Sequence, residues 1–305
     1  MFTCKIDNRT FATEIELHSH ISRSLKVKLE VYYAKHFPRR DRHTGELIDF
    51  KSKDFYFHSL FNTRANMVNY FKSHALDTET FKKCIDLRKK SKQLISAPST
   101  VESRTCILPT PSLARKMDID YNKLCLELGL ASRFDYSQTK LEVDDAPLSV
   151  IVDTREQNPI IFDNDVSLET SKLDFGDYVS TSHYDKVFIE RKSLTDLCGT
   201  LSKGYERFNK EVERALSMDS YLVVCVEEKL QNLLSLPYLP HTKHIQASTD
   251  FLCHRLREIC QKFPNIQFLF FDGRRMMNQK IPFLLRLGGR ARGLDLQFYQ
   301  DIGVF

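Results

Sequence analysis

The sequence predicts an α/β protein: a mixed sheet flanked by helices in the C-terminal part, and a separate small basic α+β region at the N-terminus. Three observations carry this. From Leu148 onward, apolar runs of strand length alternate with longer segments of helical spacing. Ser96 to Pro111 (SAPSTVESRTCILPTP) reads as a linker rich in Ser, Thr and Pro, and a second break falls at Val143 to Pro147. Charge also sorts along the chain, with Lys/Arg minus Asp/Glu at +9 over 20–92, −8 over 93–250 and +5 over 251–305. An acidic middle between basic flanks suits carboxylates serving an anionic polymer; ordinary solvated surface charge is the competing explanation. The 305 residues therefore divide into a finger-like unit (1–30), a basic aromatic-rich region (31–92), a linker with a small helical segment (93–147), an α/β core (148–287) and a flexible basic tail (288–305).

Within the core, LSVIVDTRE (148–156) is a β-branched run ending in polar residues. SLETSKLDFGDYVSTS (167–182) alternates and is interrupted at Gly176, which predicts two strands or a bent hairpin. KVFIERKS (186–193) is the next strand. LTDLCGTLS and YERFNKEVERALSM have helical spacing, YLVVCVEE (221–228) is a buried strand, and STDFLCHRLREICQKF is an amphipathic helix. IQFLFFDG is the last strand, and the last helix runs to about Leu287.

Composition narrows the class. No apolar run approaches bilayer length, and the N-terminus lacks the apolar stretch of a secretory signal. The expected location is intracellular, cytoplasmic or nucleoid-associated. Eight cysteines occur without a C-x-x-C pair, several inside apolar runs such as Cys225 in YLVVCVEE, and they read as reduced and mostly structural.

The chemistry concentrates in one stretch. Gly176-Asp177 sits where a strand bends, and Glu190-Arg191-Lys192 follows on the next strand. Residues i and i+2 of a strand share a face, so Glu190 and Lys192 point together and Arg191 points away. A neighbouring strand bringing Asp177 beside Glu190 would assemble two carboxylates and an ammonium. Such a set holds a hard cation such as Mg2+, and phosphodiester hydrolysis uses that cation, with the lysine serving the attacking water. An isolated E-x-K is commonly just a surface ion pair. The longer combination decides.

That combination, Gly176-Asp177, Glu190-Arg191-Lys192 and Asp196, resembles the signature of the XPF nuclease family, the excision-repair cross-complementing nuclease domain. Two further stretches fit in order: Val152-Asp153-Thr154-Arg155-Glu156 at the end of the first strand, and Arg207-Phe208 with Glu211 on a helix. The resemblance covers roughly Leu148 to Leu287. It implies a restriction-endonuclease-like fold of the PD-(D/E)XK superfamily. It also implies Mg2+, with Mn2+ as a substitute, held by Asp177, Glu190 and the Arg191 carbonyl with support from Asp153; Lys192 as a catalytic group; and Arg155 and Arg207 facing DNA phosphates. Two structural rivals stand beside it: Ser193-Leu194-Thr195-Asp196 is also a capping box, and Glu211 is placed to pair with Arg207 one helical turn away. Glu156 is a secondary metal candidate.

Outside the core, Phe2, Cys4, Phe11, Leu17 and His20 fall into the register of a ββα zinc finger, with Asp7 at the second Cys position and Ser24 at the second His position. Two intact ligands are short of the usual four, so a metal-free unit is expected and zinc at Cys4/His20 is not. Arg39, Arg40 and Arg42, the stripe containing Lys89 and Lys90, and Arg290 and Arg292 of the glycine-rich tail are candidate phosphate contacts. Many relatives add helix-hairpin-helix modules; their absence leaves a homodimer or a protein partner to replace them. The expected partner is DNA. The leading function is a structure-specific endonuclease in repair, recombination or replication. The alternatives are a sequence-reading nicking or restriction-type nuclease and a catalytically silent DNA-binding scaffold.

Overall fold

The computed structural model describes residues 1–38, 47, 50, 77–106, 108–143, 146–162, 165–181, 187–236 and 247–305. Arg39, Arg40, Arg42 and the side chain of Lys90 lie outside that description. Two compact units emerge, Met1–Arg88 and Lys89–Phe305.

In the first unit, β1 (Phe2–Thr3) and β2 (Thr10–Phe11) form an antiparallel ribbon, followed by helix α1 (Glu14–Ser19), a wide π turn (His20–Ser24) and α2 (Leu29–His36). Thr13 and Glu16 close a reciprocal capping box that starts α1. Cys4, Leu17, Ile21, Tyr32 and Tyr33 form the core of this unit. Helix α3 (Thr78–Ser91) follows.

The second unit opens with three short helices, α4 (Thr100–Cys106), α5 (Pro111–Lys116) and α6 (Tyr121–Glu127). The sheet follows: β3 (Ser149–Asp153), β4 (Ser167–Ser171), β5 (Tyr178–Ser180), β6 (Val187–Lys192), β7 (Tyr221–Val226) and β8 (Ile266–Phe270), in spatial order β4-β3-β5-β6-β7-β8. Helices α7 (Leu194–Leu201) and α8 (Tyr205–Ser217) connect β6 to β7. Helices α9 (Leu230–Leu234) and α10 (Thr249–Lys262) connect β7 to β8. The three strands so joined are parallel, as helical crossovers require. Helix α11 (Gly273–Leu287), a 3-10 turn (Gly288–Gly293) and α12 (Leu296–Asp301) complete the unit. Among the described residues, no helix is long and apolar enough to cross a membrane.

The period of two divides the core. Phe188, Leu222, Val224 and Val226 pack with the apolar stripes of α7, α8 and α10. Val187, Ile189, Val223 and Cys225 pack on the other face with α11 and α12. A strand covered on both faces reads as an unbroken apolar run, which is why YLVVCV shows no alternation. All eight cysteines are buried, and none is in a disulfide.

One sequence alternative is decided and two expectations need correction. Of the two strands or bent hairpin expected over 167–182, the chain forms two strands: β4 pairs parallel with one edge of β3, and β5 antiparallel with the other. The stretch 96–111 is not a free linker. Its helix α4 is packed into the unit, where buried Glu102 accepts from Arg133 at 3.2 Å and from Gln261 at 2.6 Å, while Thr100 N–H donates to Asp295 at 2.6 Å. Nor is 288–305 a flexible tail. Leu296, Phe298 and Tyr299 are fully buried, and Gln267 binds both Ala291 C=O and Leu296 N–H. A polar, helix-poor sequence looks like a linker when its polar groups find their partners far away in the chain.

Candidate active site

The site begins with the pairing of β5 and β6. Their antiparallel register sets Tyr178 against Ile189 and Val179 against Phe188. One step further sets Asp177 opposite Glu190, and Asp177 N–H donates to Ile189 C=O at 2.7 Å. Gly176 makes this approach practicable. Its φ is +69°, and a Cβ there would lie 3.0 Å from Phe188 Cβ and 3.1 Å from Ile189 C=O.

By alternation, Glu190 and Lys192 face the α8 side with Phe188. Lys192 Nζ donates to Glu190 Oε1 at 2.5 Å, and it stands 5.8 Å from the centre of the Phe208 ring. Asp177 Oδ2 accepts the Arg191 backbone N–H at 2.7 Å. Helix α8 supplies the opposing wall. Arg207, Lys210, Glu211 and Arg214 recur at helical spacing and line a cleft of about 540 Å³ with Arg155, Gly176, Asp177 and Glu190. Arg214 also donates to Asp174 C=O at 2.9 Å, tying α8 to the loop before Gly176.

The electrostatics follow from packing acids together. Burial first, then the charges of Glu190 and Glu156, push the Asp177 carboxyl up to about 8 against the opposing pull of the Arg191 N–H and Lys192. Burial and Glu190 likewise raise Glu211. Burial disfavours the Lys192 ammonium, but Glu190 and Asp177 outweigh it and hold its pKa above the ordinary lysine value. Burial and mutual repulsion both disfavour the ionised acids, and a bound cation would relieve both.

The other candidates sort differently. Asp153, expected to support a metal, is buried and already accepts four hydrogen bonds: from Arg155 N–H and Nε at 2.7 Å each, from Arg155 Nη2 at 2.9 Å and from Leu173 N–H at 2.7 Å. Its carboxylate is used in holding Arg155, and Arg155, 61% exposed at its side chain, lines the cleft in its place. Arg191 points away from Glu190 as the alternation predicts. Its guanidinium grips Glu156 in two bonds of 2.9 and 3.0 Å and also pairs with Glu227, which Arg274 binds at 3.0 Å. Glu156 is therefore committed to Arg191. Asp196 does the work of a cap: its N–H donates to Ser193 Oγ, which donates back to its carboxylate at 2.7 Å.

Arg207 makes no ion pair with Glu211 among the described residues; both line the cleft separately. Lys89 donates to Leu128 C=O at 2.5 Å, Arg290 to Glu142 C=O, and Arg292 to Asp219 at 2.8 Å. None of these three lines the cleft. Sequence reasoning overlooked Lys210, Arg214, Glu227 and Arg274. The first two carried a usable signal: 207, 210, 211 and 214 fall on one face of a helix already assigned.

The family model of the ERCC4 domain matches residues 152–276. Among solved structures, the chain is similar to XPF from Aeropyrum pernix in complex with DNA, at 20% identity and a TM-score of 0.35, covering 46% of this chain and 64% of that one. It is also similar to a second structure of XPF from Aeropyrum pernix, at 20% identity and a TM-score of 0.34, covering 46% of this chain and 60% of that one. The alignments thus span less than two thirds of those chains. No curated protein matches.

Proposed function

We propose that this chain, through the DNA-nuclease domain of the ERCC4 family that residues 152–276 carry, is a divalent-metal-dependent endonuclease cutting DNA near junctions of single and double strands. One observation carries the reading: Asp177, Glu190 and Glu211 line a single cleft together with Arg155, Arg207, Lys210 and Arg214. Three carboxylates are an all-oxygen donor set, which fits Mg2+ and accepts Mn2+. Asp177 and Glu190 are the residues to hold such an ion, and Glu211 completes the set. A bound cation would polarise the scissile phosphate and lower the pKa of a bound water.

The chain's own groups do the remainder. Lys192, anchored on Glu190, puts a fixed positive charge where negative charge develops, in a partly water-excluded site where such a charge is worth more than in bulk water. Arg155 and the α8 cations engage the flanking phosphates and hold the strand across the acids. Arg155 is itself pre-set, because Asp153 fixes its guanidinium through two bonds and its backbone N–H through a third.

The test is cleavage of end-labelled fork, flap, nicked and linear duplex DNA with Mg2+, against EDTA and Asp177→Ala. Metal-dependent cutting of branched DNA that the variant loses supports the proposal. Cutting of linear duplex at defined positions would replace it with a sequence-reading nuclease. Binding without cutting in any metal would leave a scaffold.

A further inference from the structure

We infer that Cys4, Asp7 and His20 of the N-terminal unit form a zinc site, distinct in chemistry from the acidic cleft of the second unit. The ligand count in the sequence argued for a metal-free unit; the folded geometry reverses that expectation. One donor atom from each of the three residues lies within 4.8 Å of the others. A tetrahedral zinc with bonds of about 2.0–2.3 Å wants its donors about 3.3–3.7 Å apart, so side-chain adjustment alone closes the site.

The backbone is already arranged for it. Cys4 N–H donates to Arg9 C=O at 2.8 Å and Asn8 N–H to Cys4 C=O at 2.9 Å, with Asn8 at φ +60°. That tight turn carries Cys4 and Asp7 on one side. His20 comes from the end of α1, with Nε2 2.8 Å from Asp7 Oδ2. Cys4 is fully buried and His20 nearly so, while Asp7 reaches solvent, leaving a place for a water as fourth ligand. Tyr32 adds a supporting contact. Its buried hydroxyl accepts the N–H of Lys5, the residue after Cys4, at 2.9 Å, and both Tyr32 and Cys4 belong to the unit's apolar core, so the turn that carries Cys4 is braced from outside.

Donor chemistry selects the ion. A thiolate, an imidazole and a carboxylate favour zinc over Mg2+, whereas the cleft's carboxylates are the all-oxygen set that Mg2+ prefers. Among the described residues, the ribbon beside the site is two strands of two residues, an element that gains from a staple. Binding replaces the Cys4 S–H bond with an S–Zn bond and releases that proton to solvent; Asp7 and neutral His20 each donate a lone pair.

The experiment uses the full chain stripped with EDTA, titrated with Co2+ and, separately, with Zn2+ against a chromophoric chelator. One equivalent of Co2+ should give a thiolate-to-cobalt charge-transfer band that Zn2+ bleaches. Cys4→Ser and Asp7→Asn should lose it, and Asp177→Asn should keep it. Because Cys4→Ser removes a buried group, Asp7→Asn, at an exposed position, serves as the variant whose folding is secure. No charge-transfer band in the parent chain, or a band that Asp7→Asn and Cys4→Ser both retain, overturns the proposal.

Discussion

The Arg191 backbone N–H donates to the Asp177 carboxylate at 2.7 Å, so the strand bearing Glu190 and Lys192 orients the neighbouring acid through its main chain. This bond survives any change to the Arg191 side chain, and it survives Asp177→Asn, because an amide oxygen still accepts. Asp177→Asn should therefore fold normally and bind DNA as the parent does, while cleavage falls at least about a hundredfold, the scale of losing one preorganised electrostatic group. Gel assays with Mg2+ and anisotropy in EDTA measure the two properties. Cleavage within threefold of the parent would remove Asp177 from the site.

The raised Asp177 carboxyl has a consequence for stability. An unfolded aspartate titrates at 3.8, whereas this folded one titrates at about 8. Between those values the metal-free native state holds a proton that the unfolded chain has released, so stability falls as pH rises through that window. Asp177→Asn has no such proton to lose. The urea midpoint of the variant minus that of the parent, in EDTA, should grow from pH 4 to pH 8 and then level off. A difference independent of pH would mean that the Asp177 carboxyl titrates normally.

Lys192→Met keeps most of the apolar stem beside Phe208 and removes the charge from Glu190. Cleavage should drop about 10²–10³-fold, the loss typical of one donor aimed at developing charge. Mg2+ should bind at least as tightly, because a competing cation has left the carboxylates. Calorimetric titration of the metal separates this from a simple loss of ligand geometry, which would weaken Mg2+ binding.

Arg191→Met should act on stability before chemistry. It strands Glu156, 4% exposed at its side chain, without its bidentate partner, while Glu227 keeps Arg274. Removing one member of a buried pair costs about 3–5 kcal/mol. Adding Glu156→Gln should restore part of the lost urea midpoint. Failure of the second change to restore anything would place the cost in packing and not in the stranded charge.

Arg207→Ala and Lys210→Ala should weaken DNA binding for all sequences alike and flatten its salt dependence, each by roughly one charge in the log–log slope. Arg290→Ala, whose side chain is held by Glu142 C=O, should change that slope little. A slope unchanged in both α8 variants would move the DNA away from this face.

The catalytic stretch was legible in the sequence because its signal is local. Glu190-Arg191-Lys192 ends one strand and Gly176-Asp177 forms the bend that opens its neighbour, and a strand's period of two already separates Glu190 and Lys192 from Arg191. The cysteines, the buried strand β7 and the Ser193–Asp196 cap were readable for the same reason, since burial pattern and capping are properties of neighbouring residues. What the sequence left open depends on partners far along the chain. Asp153 and Glu156 look like further metal ligands until their guanidinium partners, Arg155 and Arg191, are placed. Glu211 looks like a partner for Arg207 until α8 is packed across β6 and turns it toward Glu190. The flanks 96–111 and 288–305 look free until Thr100 meets Asp295 and Gln267 meets Leu296. The sequence by itself determined which groups could do chemistry and the strands that carry them. Only the tertiary structure decided which acids an arginine holds, as Arg155 holds Asp153 and Arg191 holds Glu156, because a carboxylate's role depends on which cation the fold brings to it.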